Sequence, residues 1–188
     1  PPGMEPVVVV GGGIVGASVA HHLVEADVPV ALHERDALGG GTTADSAAMF
    51  VWKQATPTET AHRLRARSWE TYGRLVEAGR IEFSPIGGLS PSPSAGRLEE
   101  LRETAARLGA FDVRTELLGP TELERFGLAS EDLSGGLYLP DEGHLDLAEI
   151  VQCFVGEARA AGARVETGSA VTDVLLGDRD DRIVGVEV

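Results

Sequence analysis

The 188-residue chain has little cysteine, little positive charge and no long apolar run. Its one cysteine, Cys153, excludes an internal disulfide and a cysteine-ligated metal cluster. Sixteen basic residues against thirty acidic ones give a net charge of −14, which disfavours binding to nucleic-acid phosphates. No apolar run approaches the ~20 residues of a membrane-spanning helix, and the first residues lack the pattern of a secretory signal. We therefore expect a cytoplasmic protein without a membrane span, a nucleic-acid partner or a metal site.

The first 34 residues predict a strand, a glycine turn, a helix and a second strand. Four consecutive valines, residues 7–10, are typical of a strand buried on both faces of a parallel sheet. Apolar residues then recur at helical spacing from Ile14 to Val24, and residues 28–33 predict a strand that ends at Glu34. This order is the opening βαβ unit of a doubly wound, Rossmann-like α/β fold.

The turn between strand and helix carries the pattern Gly11-x-Gly13-x-x-Gly16. In a dinucleotide-binding turn the first glycine permits the tight bend, the second admits a pyrophosphate and the third lets the helix pack on its strand. Glu34 stands where a carboxylate accepts hydrogen bonds from ribose hydroxyls. Both NAD and FAD use this fingerprint, so the pattern alone leaves the cofactor open.

The middle of the chain has a different character. A helix is predicted to start just ahead of this region, with Thr56 as its N-cap, Pro57 at its first position and Glu59 completing a capping box. Prolines and short apolar pieces from residue 83 onward predict edge strands and turns. Asp146 then predicts a new helix cap, and the α/β pattern resumes with strands over 171–176 and 183–188. We expect a cofactor domain of residues 4–82 and 146–188, interrupted by a small α+β substrate lobe of residues 83–145.

Three stretches of the sequence carry a family resemblance. They are VVVVGGGIVGASVAHHLVEADVPVALHERD, GGGTTADSAAMF and LSGGLYLPDEGHLDLAEIVQCFVGEARAAGARVETGSAVTDV. Together they resemble the flavoprotein family of D-amino-acid, glycine, sarcosine and dimethylglycine oxidases and dehydrogenases. Glycerol-3-phosphate dehydrogenase is a distant member of that family. The resemblance implies an FAD-dependent enzyme that oxidises a small amine or amino acid by hydride transfer to the flavin.

The resemblance assigns the adenosine diphosphate part of FAD to the first stretch. The FAD pyrophosphate would be held by Gly11, Gly13, Ile14, Val15 and Gly16. Glu34 would bind the adenosine ribose, and Arg35 would flank the ribose or the adenine. These roles belong to the family and are carried over position by position.

The resemblance assigns the rest of the cofactor to later residues. Thr42 and Thr43 would contact phosphate or the ribityl chain, and Ala48 and Met49 would lie beside the isoalloxazine. Val171, in the predicted strand after Gly168, would contact adenine. No residue is singled out as catalytic.

Two departures from the family shape the expectation. Members similar to dimethylglycine and sarcosine dehydrogenases tether FAD through a His in the loop where this chain has Asp45, so we expect non-covalent FAD. Family members are also about twice as long, judged from their two-lobe architecture. We therefore expect a shortened chain, a fragment or one product of a split gene, with its C-terminal half or a partner subunit completing the site.

Three other interpretations stay open on the sequence alone. The chain could be a non-catalytic nucleotide-binding subunit, for which its length is the only support. A flavin-dependent oxidation of a 2-hydroxy acid or glycerol phosphate is a close variant of the amine reaction. An NAD-dependent dehydrogenase would share the glycine turn and Glu34, but it is disfavoured by the inserted lobe and by the Gly-Thr-Thr loop.

Overall fold

A computed structural model describes residues 4–53, 58–177 and 182–188. Its helices are α1 (Ile14–Glu25), α2 (Glu59–Glu77), α3 (Ala95–Gly109) and α4 (Leu147–Ala160). Its strands are β1 (Val7–Val10), β2 (Val30–Glu34), β3 (Met49–Phe50), β4 (Phe83–Ser84), β5 (Gly88–Ser92), β6 (Glu116–Leu118), β7 (Gly135–Leu139), β8 (Gly143–Leu145), β9 (Arg164–Thr167), β10 (Asp173–Leu176) and β11 (Ile183–Glu187). Among these described residues, no helix combines the length and apolar character needed to cross a bilayer.

The chain divides into two compact units. Pro1–Ala48 and Asp146–Val188 form the first unit, and Met49–Leu145 form the second. The second unit begins at Met49 rather than at residue 83, where the composition changes. The reason is strand pairing, because β3 pairs antiparallel with β8 and so ties residues 49 and 50 to the end of that unit.

The first unit is a three-stranded parallel sheet with two helices, in the strand order β1-β2-β9. Val7 of β1 lies opposite Val30 of β2, and Ala31 of β2 lies opposite Arg164 of β9. Helix α1 packs against α4, and the core between sheet and helices contains Val9, Ala20, Val30, Leu32, Ala158 and Ala163. The strand–turn–helix–strand order predicted from the sequence and the Rossmann-like α/β class are both confirmed.

Strand β1 departs from its predicted burial. Of its four valines only Val9 is buried, whereas Val7 and Val10 are 42% and 59% exposed. Within the described residues β1 pairs only with β2, so it lies at an edge of the sheet. An apolar run predicts a strand with two covered faces, but the elements that cover those faces come from distant parts of the chain and cannot be read from the run itself.

The last two strands do not extend the parallel sheet. β10 and β11 pair with each other as an antiparallel hairpin, with Val174 opposite Val186. Strand β10 begins at Asp173, so the prediction of a strand from Val171 is wrong at its start. Val171 lies two residues before β10 and is partly buried.

The second unit holds two antiparallel three-stranded sheets, in the orders β3-β8-β4 and β5-β7-β6. Helix α3 packs on the second sheet through the buried residues Leu101, Ala105 and Leu108. Pro91 lies in β5, an edge strand of that sheet, where its missing N–H costs no ladder hydrogen bond.

Helix α2 of the second unit begins later than predicted. Its N-cap is Thr58, whose hydroxyl oxygen accepts a hydrogen bond from Ala61 N at 3.1 Å, and the helix starts at Glu59. The predicted cap at Thr56 is therefore wrong by two residues. Thr56 and Pro57 themselves lie outside the described residues.

Candidate functional site

The turn between β1 and α1 has a backbone that only glycine can supply. Gly11 has φ of +100°, and its N–H donates to His33 O at 2.8 Å. A Cβ on Gly16 would lie 1.9 Å from the backbone oxygen of Gly11. The backbone of the first turn of α1 therefore packs directly against the backbone of the glycine turn, with no room for a side chain at Gly16.

The start of α1 presents its N–H groups at this turn. Gly13 is the N-cap and offers no side-chain cap, and the first turn holds no acidic residue. Ile14 N donates to Thr43 Oγ1 at 3.1 Å. Because a hydroxyl that accepts one bond can still donate its own proton, Thr43 adds a donor beside the positive end of the helix. Such an arrangement favours a phosphate group.

An open cavity of about 560 Å³ lies against this helix start, within the first unit. Its lining joins the glycine turn to the Gly-Thr-Thr loop and comprises Val9, Val10, Gly11, Gly13, Ile14, Val15, Gly16, Val19, Thr42, Thr43, Ser46 and Leu147. Of these lining residues, sequence reasoning missed Val9, Val10, Val19, Ser46 and Leu147. Ser46 could have been found as a third hydroxyl in the threonine loop, whereas Leu147 becomes visible only when α4 is placed.

Glu34 is fixed to the glycine turn by its carboxylate. Gly12 N donates to Oε2 at 2.6 Å and Asp36 N donates to Oε1 at 2.8 Å. These bonds, first the one from Asp36 and then the one from Gly12, lower the pKa of Glu34 against the opposing effect of desolvation. The carboxylate stays ionised and keeps about two free lone-pair sites, which suit a pair of ribose hydroxyls.

This lowered pKa predicts a pH dependence. The two amide bonds to Glu34 stabilise the folded chain fully above the ordinary carboxyl pKa of about 4.3. Their contribution is lost as the pH falls through the lower pKa of the folded state. We expect the difference in unfolding free energy between the wild type and Glu34→Gln to shrink steadily below about pH 4.3. Denaturant unfolding of both proteins across that range measures it, and a difference independent of pH would contradict the assignment.

The segment after β9 reaches the same end of β2. Ser169 N donates to Glu34 O at 2.9 Å, and Ser169 Oγ lies 2.8 Å from His33 Nδ1. Val171 follows two residues later, so the segment predicted to meet adenine lies near the end of β2 at Glu34. Arg35 points elsewhere: its side chain is 76% exposed and its Nε donates to Asp36 Oδ2 at 3.0 Å.

The two residues predicted to lie beside the flavin ring belong to different units. Ala48, with φ of +51°, ends the first stretch of the first unit. Met49 begins β3 of the second unit, where it lies opposite His144, and it is 40% exposed. The first unit therefore brings together the glycine turn, Glu34, Thr43 and the Val171 segment, whereas Met49 is positioned by the second unit's own sheet.

The second unit contains a buried carboxylate that sequence reasoning missed. Glu142 is 6% exposed, and its Oε1 accepts hydrogen bonds from Trp52 N at 2.6 Å and Lys53 N at 3.1 Å. Lys53 Nζ donates to Ser90 Oγ at 2.8 Å. Burial, together with the nearby charge of Arg97, lowers the pKa of Lys53, and Glu142 opposes the shift. In the sequence Glu142 lies in a polar turn that is typical of a solvated surface. Its burial depends on the contact with Trp52, 90 positions earlier, which the sequence does not reveal.

The glycine turn, the fixed Glu34 and the helix start beside Thr43 define a dinucleotide-binding α/β unit. The family model described as "FAD dependent oxidoreductase" matches residues 6–188, and the chain belongs to this family. FAD is the cofactor of the family, and the resemblance described above is confirmed.

Curated relatives and a solved structure agree with this assignment. The chain is 34% identical over 184 residues to 4-methylaminobutanoate oxidase (formaldehyde-forming) of Paenarthrobacter nicotinovorans, covering 95% of this chain and 22% of that protein. It is 30% identical over 195 residues to human mitochondrial sarcosine dehydrogenase, covering 99% of this chain and 21% of that protein. The crystal structure of L-proline dehydrogenase from P. horikoshii matches with a TM-score of 0.83 and 25% identity, over 99% of this chain and 49% of that one.

Proposed function

We propose that this chain is the FAD-binding part of an enzyme that oxidises an amine or amino acid. The observation that supports it most is the meeting of the glycine turn, Glu34 and Thr43 at the carboxyl ends of β1 and β2. In open α/β sheets this edge is where nucleotides bind. The chain spans about a fifth of the two curated relatives, so we further propose that residues outside it, or a partner subunit, complete the substrate site.

The residues of the first unit fit the adenosine diphosphate half of FAD. The start of α1, from Ile14 to Gly16, would face the pyrophosphate together with the hydroxyls of Thr42 and Thr43. Glu34 would accept hydrogen bonds from the ribose, and its negative charge would repel a 2′-phosphate. Arg35 would have to leave Asp36 to reach the adenosine, and their exposed ion pair is weak enough to permit that movement.

Bound FAD supplies the hydride acceptor for the reaction. The part of this chain is to hold the cofactor and orient it. The names of the two curated relatives point to an N-methylated amino acid as substrate, the chemical class of sarcosine and 4-methylaminobutanoate.

The test of this function uses the full-length protein that contains these residues. Sarcosine, dimethylglycine, 4-methylaminobutanoate and glycine are added separately without oxygen, and the visible flavin band is followed. We expect at least one of these amines to bleach the band. If glycerol 3-phosphate or a 2-hydroxy acid bleaches it while no amine does, the substrate class proposed here is wrong.

Non-covalent attachment of FAD is a separate prediction, because Asp45 stands where related dehydrogenases carry a tethering His. Asp45 has an exposed side chain and a backbone N–H that donates to Gly41 O at 3.1 Å. A carboxylate cannot form the histidyl link to the flavin, so we expect acid precipitation to release all yellow colour into the supernatant. A yellow pellet would show a covalent link and contradict the prediction.

One observation favours a second candidate function. The chain is also 25% identical over 191 residues to the mouse pyruvate dehydrogenase phosphatase regulatory subunit, a protein named for regulation. A regulatory subunit would keep the FAD-binding unit without oxidising an amine. In that case the flavin would remain oxidised with every amine tested, although FAD would still bind.

A further inference from the structure

Four ionisable side chains meet where α1 packs against α4, away from the cavity at the glycine turn. His21, His22 and Glu25 lie on α1, and Glu157 lies on α4. His21 Nε2 is 3.4 Å and His22 Nδ1 is 2.9 Å from the same oxygen, Glu25 Oε2. One nitrogen from each ring and one carboxylate oxygen all lie within 4.8 Å of one another.

His21 is held in a fixed orientation inside this group. Its side chain is 7% exposed, and its ring stacks on Phe154 with the centroids 4.8 Å apart. Its second nitrogen, Nδ1, lies 3.1 Å from Glu157 Oε2, although the angles do not make a hydrogen bond.

Both nitrogens of the His21 ring therefore face carboxylates, and a neutral imidazole has only one N–H to offer. The other nitrogen then directs its lone pair at a negative oxygen. A metal ion on that nitrogen would relieve the repulsion.

We propose that this group binds a divalent transition metal ion such as Zn²⁺. Its ligands are His21 Nε2, His22 Nδ1 and the carboxylate of Glu25, a nitrogen and oxygen set that suits zinc, nickel or copper. Glu157 is a positioning residue: its Oε2 lies 3.1 Å from His21 Nδ1, and a small turn of the carboxylate would let it accept the Nδ1–H, as carboxylates do behind metal-bound histidines. Zinc bonds of about 2.0–2.2 Å require only a small inward movement of the ligands, which His22 can make because its side chain is 55% exposed.

The metal would bind α1 alone, in the half of the helix that lies away from the cofactor site, and would involve α4 only through the pair of His21 and Glu157. None of the four side chains lines the cavity described above. The inference goes beyond the proposed function and does not depend on FAD. Spacing along the sequence did not reveal this group, because neighbouring helical histidines match no zinc motif and Glu157 joins them only through folding.

Isothermal titration calorimetry of ZnCl₂ into the chelator-treated 188-residue chain, with any histidine tag removed, tests the proposal. We expect one zinc per chain. His22→Gln, at an exposed position, should weaken binding at least tenfold, a loss of about 1.4 kcal/mol. Glu157→Gln should weaken it about tenfold through its effect on His21. The control is His144→Gln, which removes an exposed histidine outside the group and should leave the affinity unchanged.

Other outcomes overturn the proposal. No saturable zinc binding, or equal binding by the wild type and His22→Gln, would show that the two histidines form only an ion-pair cluster with their carboxylates. If His22→Gln weakens zinc binding but Glu157→Gln does not, the zinc binds only as an adventitious surface ion and the proposed site is wrong. Circular dichroism of each variant establishes that the fold is retained.

Discussion

Gly16→Ala is expected to weaken FAD binding strongly and to destabilise the first unit. The added Cβ would lie 1.9 Å from the backbone oxygen of Gly11, an atom that no rotamer change can move away. The helix start must then shift from the glycine turn, and the N–H groups proposed to face the pyrophosphate move with it. We expect an affinity loss of at least about 100-fold, or ~2.7 kcal/mol, and a loss of stability of about 1–3 kcal/mol from overpacking.

Gly156→Ala is the matched control for this variant. Gly156 lies inside α4 of the same unit, is exposed, and has no atom within 4 Å of the Cβ that alanine would add. Because alanine is the better helix former, this change should stabilise the chain by about 0.5–1 kcal/mol and leave FAD affinity unchanged. Wild-type flavin affinity in Gly16→Ala would mean that the close contact of helix and turn is not needed for the site.

Glu34→Gln is the second change with a large expected effect. The carboxylate accepts one backbone N–H on each oxygen, from Gly12 and Asp36. The amide of glutamine can accept only one of them and turns its own NH₂ toward the other, so two donors face each other. The ribose proposed to bind here would also lose a charged acceptor. We expect FAD affinity to fall by about 10- to 100-fold, which corresponds to one or two charge-assisted hydrogen bonds.

The control for Glu34→Gln is Glu5→Gln, which removes the same charge from an exposed residue of the first unit. Flavin fluorescence titration of both variants separates the local effect from the change in net charge. Equal affinities in the two variants would contradict the role of Glu34.

The part of the site that sequence reasoning predicted best is the part with strictly local rules. Gly11 is required by its positive φ, and Gly16 is required because its Cα lies close to the backbone oxygen of Gly11, only five positions away. Glu34 ends β2, the strand that follows α1. Their arrangement follows from the βαβ unit itself. The family resemblance assigns Thr43 to the phosphate, and in the structure its hydroxyl oxygen accepts a hydrogen bond from the N–H of Ile14.

What the sequence could not predict depends on contacts between distant segments. The valines of β1 predict burial, yet Val7 and Val10 are exposed, and β1 is an edge strand whose only described neighbour is β2. Met49 follows Ala48 directly, but strand pairing assigns the two residues to different units. Glu142 and Glu157 look like solvated acids until the fold brings them to Trp52 and His21.

Competition binding tests most directly whether the first unit holds the adenosine diphosphate half of FAD. The chain is titrated with FAD by flavin fluorescence, and the complex is then challenged separately with ADP and with FMN. FMN carries the flavin ring but lacks the adenosine and the pyrophosphate. The account predicts that FAD binds, that ADP displaces it and that FMN does not. Displacement by FMN but not by ADP would contradict the account.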